Sequence, residues 1–212
     1  EYIQNAIDSI DDAIENGSLS ASDARVIIRI DANNLRIVIE DNGVGVSVEN
    51  IESCLLGIGN SNKSFFKRRG FRGIGRLVGI VYADELSFHT SYAGENVATT
   101  ININCKKLRQ ILVPGQYENL GLIDALKAVI KRTERREKPE LHYFRVELDH
   151  VVGNKDILNL EDVRAYLCQT APLPYNTEIF SWGRDIEAAC QAIGHPLTHY
   201  AIYLHHPDSI PT

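Results

Sequence analysis

Two β-branched runs, 25–31 (Arg-Val-Ile-Ile-Arg-Ile-Asp) and 35–40 (Leu-Arg-Ile-Val-Ile-Glu), stand either side of Ala32-Asn33-Asn34 and then stop at Asp41-Asn-Gly-Val-Gly45. Branched side chains suit a pleated surface, and the short polar connection predicts a hairpin. Upstream, Ile3, Ile7, Ile10 and Ile14 recur at helical spacing over residues 1–16. They form an apolar stripe, with Glu1, Asn5, Asp8 and Asp12 on a roughly opposite one. Asn16-Gly17 is the expected stop. A helix that must bury one stripe and a hairpin that must bury one face predict an α/β layering.

The remaining chain extends this pattern. A helix is expected near 48–56, a loop over 57–72, and a buried helix from Ile74 to Ala83, directly after the glycines of Gly70-Phe-Arg-Gly73-Ile-Gly75. Strands near 85–92 and 97–104 flank Ala93-Gly94-Glu95-Asn96, a second hairpin. Residues 121–137 read as a charged, solvated helix without chemistry of its own. A strand at 143–149 and a helix at 160–169 follow. Pro172 and Pro174 place a domain boundary at 170–176, giving a unit over 1–170 and the beginning of another α/β unit over 171–212.

Bulk properties narrow the class. Apolar residues make up 44% and charged residues 24% of the 212, a globular composition with no run long enough to span a membrane. A formal net charge of −6 gives no general attraction for nucleic acid or anionic membrane. Cys54, Cys105, Cys168 and Cys190 lack CxxC spacing and read as reduced thiols of a cytoplasmic protein. His195, His199, His205 and His206 have no carboxylate or cysteine partner at familiar ligand spacing and read as surface histidines. The chain holds no methionine, and its first residue already belongs to a motif. Both point to an excised piece with residues missing upstream of Glu1.

Three segments carry chemistry. Asp41, at a strand end, can accept a hydrogen bond from an exocyclic amine such as adenine N6, and Gly43 and Gly45 let a flat base approach the backbone. A simple Asp-Asn-Gly turn is the plainer account of that segment alone. The Gly70–Gly75 segment opens a helix, where free N–H groups attract phosphate. Its glycine spacing is not that of a Rossmann fingerprint, and the Gly-Lys-Ser/Thr ending of a Walker A loop is absent. Lys63, Lys67, Arg68, Arg69, Arg72 and Arg76 surround it without an intervening acid, a reversal of the chain's overall sign that suits a polyphosphate. Asn5 offers a neutral oxygen to Mg²⁺, and Glu1, one turn earlier, could polarise a water for attack on a terminal phosphate.

Taken together the segments resemble the GHKL ATPases, which comprise gyrase B, the ninety-kilodalton heat-shock chaperone, histidine kinases and MutL. Glu1, Asn5, Ala6 and Asp8 match the first box; Asp41, Gly43 and Gly45 the second; Gly70, Gly73 and Gly75 the third. Ile58-Gly-Asn-Ser61-Asn-Lys63-Ser64 resembles the ATP lid of chaperone-like members. The resemblance implies a Bergerat two-layer α/β sandwich, a mixed sheet covered by helices, that binds ATP or ADP with Mg²⁺. It implies Glu1 as general base, Asn5 as the Mg²⁺ ligand, Asp8 as support for the magnesium–water network and Asp41 as adenine reader. Lys63, Gly70, Gly73, Ile74, Gly75 and Arg76 would hold phosphates. The chaperone-like branch is the nearest match, with residues 171–212 beginning a middle or transducer-like domain, and pairing of two copies through flanking regions is left open.

One departure stands out. Chaperone-like members carry Gly-Thr on a late strand beneath the nucleotide; here Tyr143-Phe144 stands there, with Thr99-Thr100 on an earlier strand. That leaves three functional readings: a nucleotide-driven clamp, a regulatory module that binds without turnover, and a histidine kinase catalytic domain. Glu1 disfavours the last.

Overall fold

The computed structural model describes residues 1–56, 75–113 and 122–206. In chain order these form α1 (Tyr2–Glu15), β1 (Arg25–Asp31), β2 (Arg36–Asp41), α2 (Ile51–Leu56), α3 (Gly79–Tyr82), β3 (Ala83–Ser91), β4 (Val97–Asn104), α4 (Cys105–Ile111), α5 (Leu122–Lys127), β5 (Ile130–Arg136), β6 (Tyr143–Val151), α6 (Leu160–Thr170), α7 (Gly183–Ala192) and β7 (Ala201–His205). Two 3₁₀ turns, Gly75–Leu77 and Lys155–Leu158, complete the set. The strands make one sheet in the order β5-β4-β3-β6-β2-β1-β7. Every neighbouring pair is antiparallel except β1 and β7, so the sheet is mixed.

Register divides the two faces. Directly paired residues share a face, and one face carries three rows running across β1, β2, β6, β3, β4 and β5. The first is Ile30-Ile37-Leu148-Leu86-Ile103-Ile130 and the second Ile28-Ile39-Val146-Phe88-Ile101-Arg132. The third is Val26-Asp41-Phe144-Thr90-Thr99-Glu134. The core therefore grades from wholly apolar at one end of the strands to polar at the other. Helices cover this face: Ala6, Ile7 and Ile10 of α1, Leu108 of α4 and Ala125 and Leu126 of α5 join the strand residues in one buried cluster. This is the two-layer α/β arrangement of a Bergerat fold.

The other face is polar and largely held by itself. Arg36 pairs with Glu147 at 2.6 Å and Asp149 at 3.2 Å, Arg145 bonds Glu40, and His89 Nε2 lies 3.5 Å from Glu147. The neighbouring His89 ring, then the Arg36 guanidinium, hold the Glu147 carboxyl down at about 2 against the opposing effect of burial. A depressed carboxylate stabilises the fold above its ordinary range, and that stability is lost as pH falls through the folded value. Glu147→Gln is expected to flatten the acid limb of stability between about pH 5 and pH 2, where the parent loses up to roughly 1.4 kcal/mol per pH unit. Urea midpoints across that window check it.

Several elements differ from the sequence-based expectations. Residues 121–137 are not one helix: α5 ends at Lys127 and 130–136 is the edge strand β5. The open side of β4 offers a ladder, Ile130 completes the apolar row, and Arg132 reaches Glu52 and the Val48 carbonyl, so tertiary pairing outweighs helix propensity. The expected helix from Ile74 to Ala83 is a 3₁₀ turn followed by one turn of α3, and Val78, Val81 and Tyr82 are exposed. Gly79 breaks it, sitting against the Tyr2 hydroxyl and Leu86 where a side chain has no room. Leu35, expected in a strand, turns the β1–β2 hairpin at φ 51°, and its carbonyl accepts from Val151 N–H.

Past residue 170 the chain returns to the same sheet. β7 lies parallel to β1, Arg25 opposite Ala201 through Arg29 opposite His205. Tyr200 is buried, and its hydroxyl bonds Asp11 of α1. Among the described residues, no helix is long and apolar enough to cross a membrane.

Candidate nucleotide site

Asp41 is the last residue of β2, in the interior of the sheet at the polar end of its core face. It is 4% exposed. Gly43 N–H donates to its carboxylate at 2.9 Å, and the Ser9 hydroxyl bonds it from α1. Burial outweighs both donors and pushes the Asp41 carboxyl up to about 8, with the nearby Glu40 charge adding to the rise. A buried carboxyl with so few donors has unmet capacity for a hydrogen-bonding partner.

The turn that follows is clamped on every side. A Cβ on Gly43 would lie 2.5 Å from the Ser9 carbonyl carbon and 2.7 Å from Ile10 N, so the turn and α1 meet backbone to backbone. Val44 N–H donates to the Ser9 carbonyl at 3.2 Å. The His142 ring lies with Nδ1 2.7 Å from the Gly43 carbonyl, which can only accept, so Nδ1 carries the proton there. Val46 N–H donates to Thr90 Oγ1, whose own proton goes to the Tyr143 carbonyl. Glu95, from the β3–β4 hairpin, accepts from Val48 N–H.

Gly45 has φ +70°, and a Cβ there would lie 2.0 Å from the Ser91 carbonyl oxygen. Gly45→Ala is therefore expected to cost at least about 2 kcal/mol, from left-handed backbone strain plus displacement of β3. Equilibrium denaturation measures it, and a near-neutral result contradicts this placement of the turn.

Helix α1 carries the first box along the same end of the sheet. Glu1 is exposed, Asn5 half-buried and Asp8 buried, so these residues do not form one solvated stripe. The Glu1 carboxyl lies directly against Gly75, where an added Cβ would stand 2.1 Å from its carbon atoms. Tyr2 strengthens that junction by accepting from Gly79 N–H at 3.0 Å. First and third boxes thus meet at Glu1 and Gly75, and first and second meet at Ser9 and Asp41. From Glu1 to Ser9 is eight residues, or about 12 Å of helix. α1 thus spans a buried carboxylate at one end and a glycine-opened turn at the other, a separation that suits an extended nucleoside triphosphate.

Lys63, Gly70, Gly73 and Ile74, with the resembled lid and the loop 57–72, lie outside the described residues, as does the Arg76 side chain. The described site brings together Glu1, Asn5, Asp8, Asp41, Gly43, Gly45 and Gly75. The sequence reading missed Ser9, Thr90 and His142. Ser9 continues the four-residue spacing of Glu1 and Asn5, a signal present in the sequence. Thr90 had none, because only the sheet order sets it in the row of Asp41, one strand beyond Phe144. Thr99 lies in that row too, its hydroxyl buried without a hydrogen-bond partner among the described residues, whereas Thr100 points to the opposite face and pairs with His89.

The donor set suits a hard cation. Glu1 and Asp8 offer carboxylate oxygens and Asn5 an amide oxygen, and Mg²⁺ characteristically takes one or two protein oxygens and completes its shell with phosphate and water. When bound there, Mg²⁺ would supply positive charge to offset that of the phosphates.

A mixed sheet, helices on one face, and a buried strand-end carboxylate facing a glycine turn across one helix define a nucleotide-binding domain of Bergerat type. Residues 1–132 match the family model described as histidine kinase-, DNA gyrase B-, and HSP90-like ATPase, and the chain belongs to that family. No curated protein matches the chain.

Proposed function

We propose that the chain is a Mg²⁺-dependent ATP hydrolase of the chaperone-like branch, working as a nucleotide-driven clamp. The observation that supports this best is the Glu1 carboxyl set against Gly75, with Asn5 one turn further along the same helix. In this reading Asp41 accepts from the adenine amine and Gly43 and Gly45 leave room for the base. Asn5 ligates Mg²⁺, Asp8 supports the metal's waters, and Glu1 orients the attacking water. Lys63 and the backbone of Gly70, Gly73, Ile74, Gly75 and Arg76 hold the phosphates. We place the boundary of the nucleotide unit after residue 170 and read 171–212 as the beginning of a middle or transducer-like domain, which meets the nucleotide unit through β7 and Tyr200. A cytoplasmic setting, and pairing of two copies through flanking segments, complete the proposal.

A second reading, nucleotide binding without turnover, is favoured by Phe144, which sets an apolar ring, not a hydroxyl, directly opposite Asp41. Purified chain with terminally labelled ATP separates the readings: released phosphate supports the hydrolase, retained label without release the binding module, and label on histidine a kinase. Asn5→Ala in the same assay is expected to abolish the magnesium-dependent part of ATP binding, at least a tenfold loss. Equal affinity with Mg²⁺ and with EDTA in the parent removes Asn5 as a ligand.

A further inference from the structure

One peptide plane of the glycine turn is held at both its polar groups. The Gly43–Val44 peptide gives its N–H to the Ser9 carbonyl of α1 at 3.2 Å, and its carbonyl takes the His142 Nδ1 proton at 2.7 Å. Gly43 therefore stands between two side chains, its own N–H on the Asp41 carboxylate and its carbonyl on His142. The loop that carries His142 is itself anchored. Leu141 N–H donates to the Lys138 carbonyl, Gly94 N–H to the Pro139 carbonyl and Glu137 N–H to the Asn96 carbonyl. Loop 137–142 and the β3–β4 hairpin are thus tied into one clasp. It grips the turn again at Val46, through Thr90 and the Tyr143 carbonyl, and at Val48, through Glu95.

We propose that His142 is a positioning residue for base recognition, holding the Gly43 carbonyl so that the turn and the Asp41 carboxyl keep the geometry an adenine amine requires. This role rests on the reading of Asp41 and its turn as the adenine subsite, and adds the group that fixes that subsite in place. Glycine has the widest backbone freedom of any residue, so a turn with Gly43 and Gly45 has much to lose on ordering. A clasp that orders it beforehand removes that cost from ligand binding. The neutral ring with its proton on Nδ1 and the doubly protonated ring both present this donor, so the hold persists across pH. The effect is confined to the base. Glu1 and Gly75 lie two turns of α1 from Ser9, so the phosphate end does not depend on His142.

The ratio of ATP to GTP affinity in the full chain tests it. GTP presents a carbonyl oxygen where ATP presents its amine, so it forfeits the contact that the turn sets, and a ratio is unaffected by the fraction of protein that is folded. His142→Ala is expected to lower the ratio roughly three- to tenfold, the range of one lost hydrogen bond, and to raise KM for ATP with kcat unchanged. His142→Asn sets an amide N–H where Nδ1 stands and is expected to keep the parent ratio. His142→Asp has the same shape but its carboxylate cannot donate, and it is expected to lose at least as much as alanine. The comparison of asparagine with aspartate decides the matter if the alanine variant does not fold. A ratio unchanged in His142→Ala, or asparagine no better than aspartate, overturns the role of His142. If Asp41→Asn lowers the ratio while His142→Ala does not, the adenine subsite stands and only this role falls. A parent that does not prefer ATP over GTP overturns both.

Discussion

Asp41→Asn is expected to weaken ATP binding while stabilising the nucleotide-free protein at alkaline pH. The carboxylate is the charged group proposed to read the base, and losing a buried hydrogen bond of that kind costs about 1–3 kcal/mol, or roughly 5- to 150-fold in affinity. Stability moves the other way. Burial holds the carboxyl at about 8, far above its value in an unfolded chain. A raised folded-state value means that this group's contribution is fully present below about pH 4. It is lost as pH rises toward 8, by at most about 1.4 kcal/mol per unit. Asparagine keeps an oxygen for Gly43 N–H and has no charge to bury, so the slope should flatten. ATP, whose amine favours the ionised carboxylate, should bind with release of a proton near neutrality, tightening up to about tenfold per pH unit until near pH 8. Urea midpoints and calorimetry in buffers of different ionisation enthalpy measure both effects. Parallel stability curves for parent and mutant, or unchanged affinity, contradict the role of Asp41.

What could be read from the sequence followed how local each signal was. The isoleucine stripe of α1, the hairpin of β1 and β2, and the glycine turn after Asp41 each depend on residues within one or two turns, and each forms where expected. The neighbours of the site are different. Ser9 reaches Asp41 because α1 crosses the end of β2, and Thr90 shares its row because β6 and β3 follow β2 in the sheet. Sheet order is a non-local property, and neither alternation nor spacing encodes it.

The misreadings have the same origin. The charged run from Lys131 to Lys138 scans as a solvated helix until β4 supplies an open edge, after which its charges serve to protect the sheet. Asp8 scans as part of a polar stripe, but the turn of α1 that carries it lies over the sheet and buries it. The parallel pairing of β7 with β1 is a contact across more than 170 residues that no local rule reports.

Glu1→Ala is expected to lower turnover by two orders of magnitude or more while leaving ATP affinity within a few-fold of the parent. A positioned general base typically contributes 10²–10⁴-fold, through an interaction made only in the transition state, so kcat should fall without a matching rise in KM. Gly75→Ala separates the base from its position. The added Cβ would occupy the space of the Glu1 carboxyl, the far end of a flexible side chain that can swing away at little cost to the fold. That variant should melt near the parent temperature and still turn over poorly, because Glu1 is present but displaced. Single-turnover assays with saturating Mg-ATP, alongside thermal melts, measure both variants. If Gly75→Ala hydrolyses ATP at the parent rate, the Glu1–Gly75 contact has no part in the chemistry, and Glu1 must act from another rotamer. If Glu1→Ala also does so, the base is a different residue, and Asp8, the buried carboxylate two turns along α1, becomes the candidate to test.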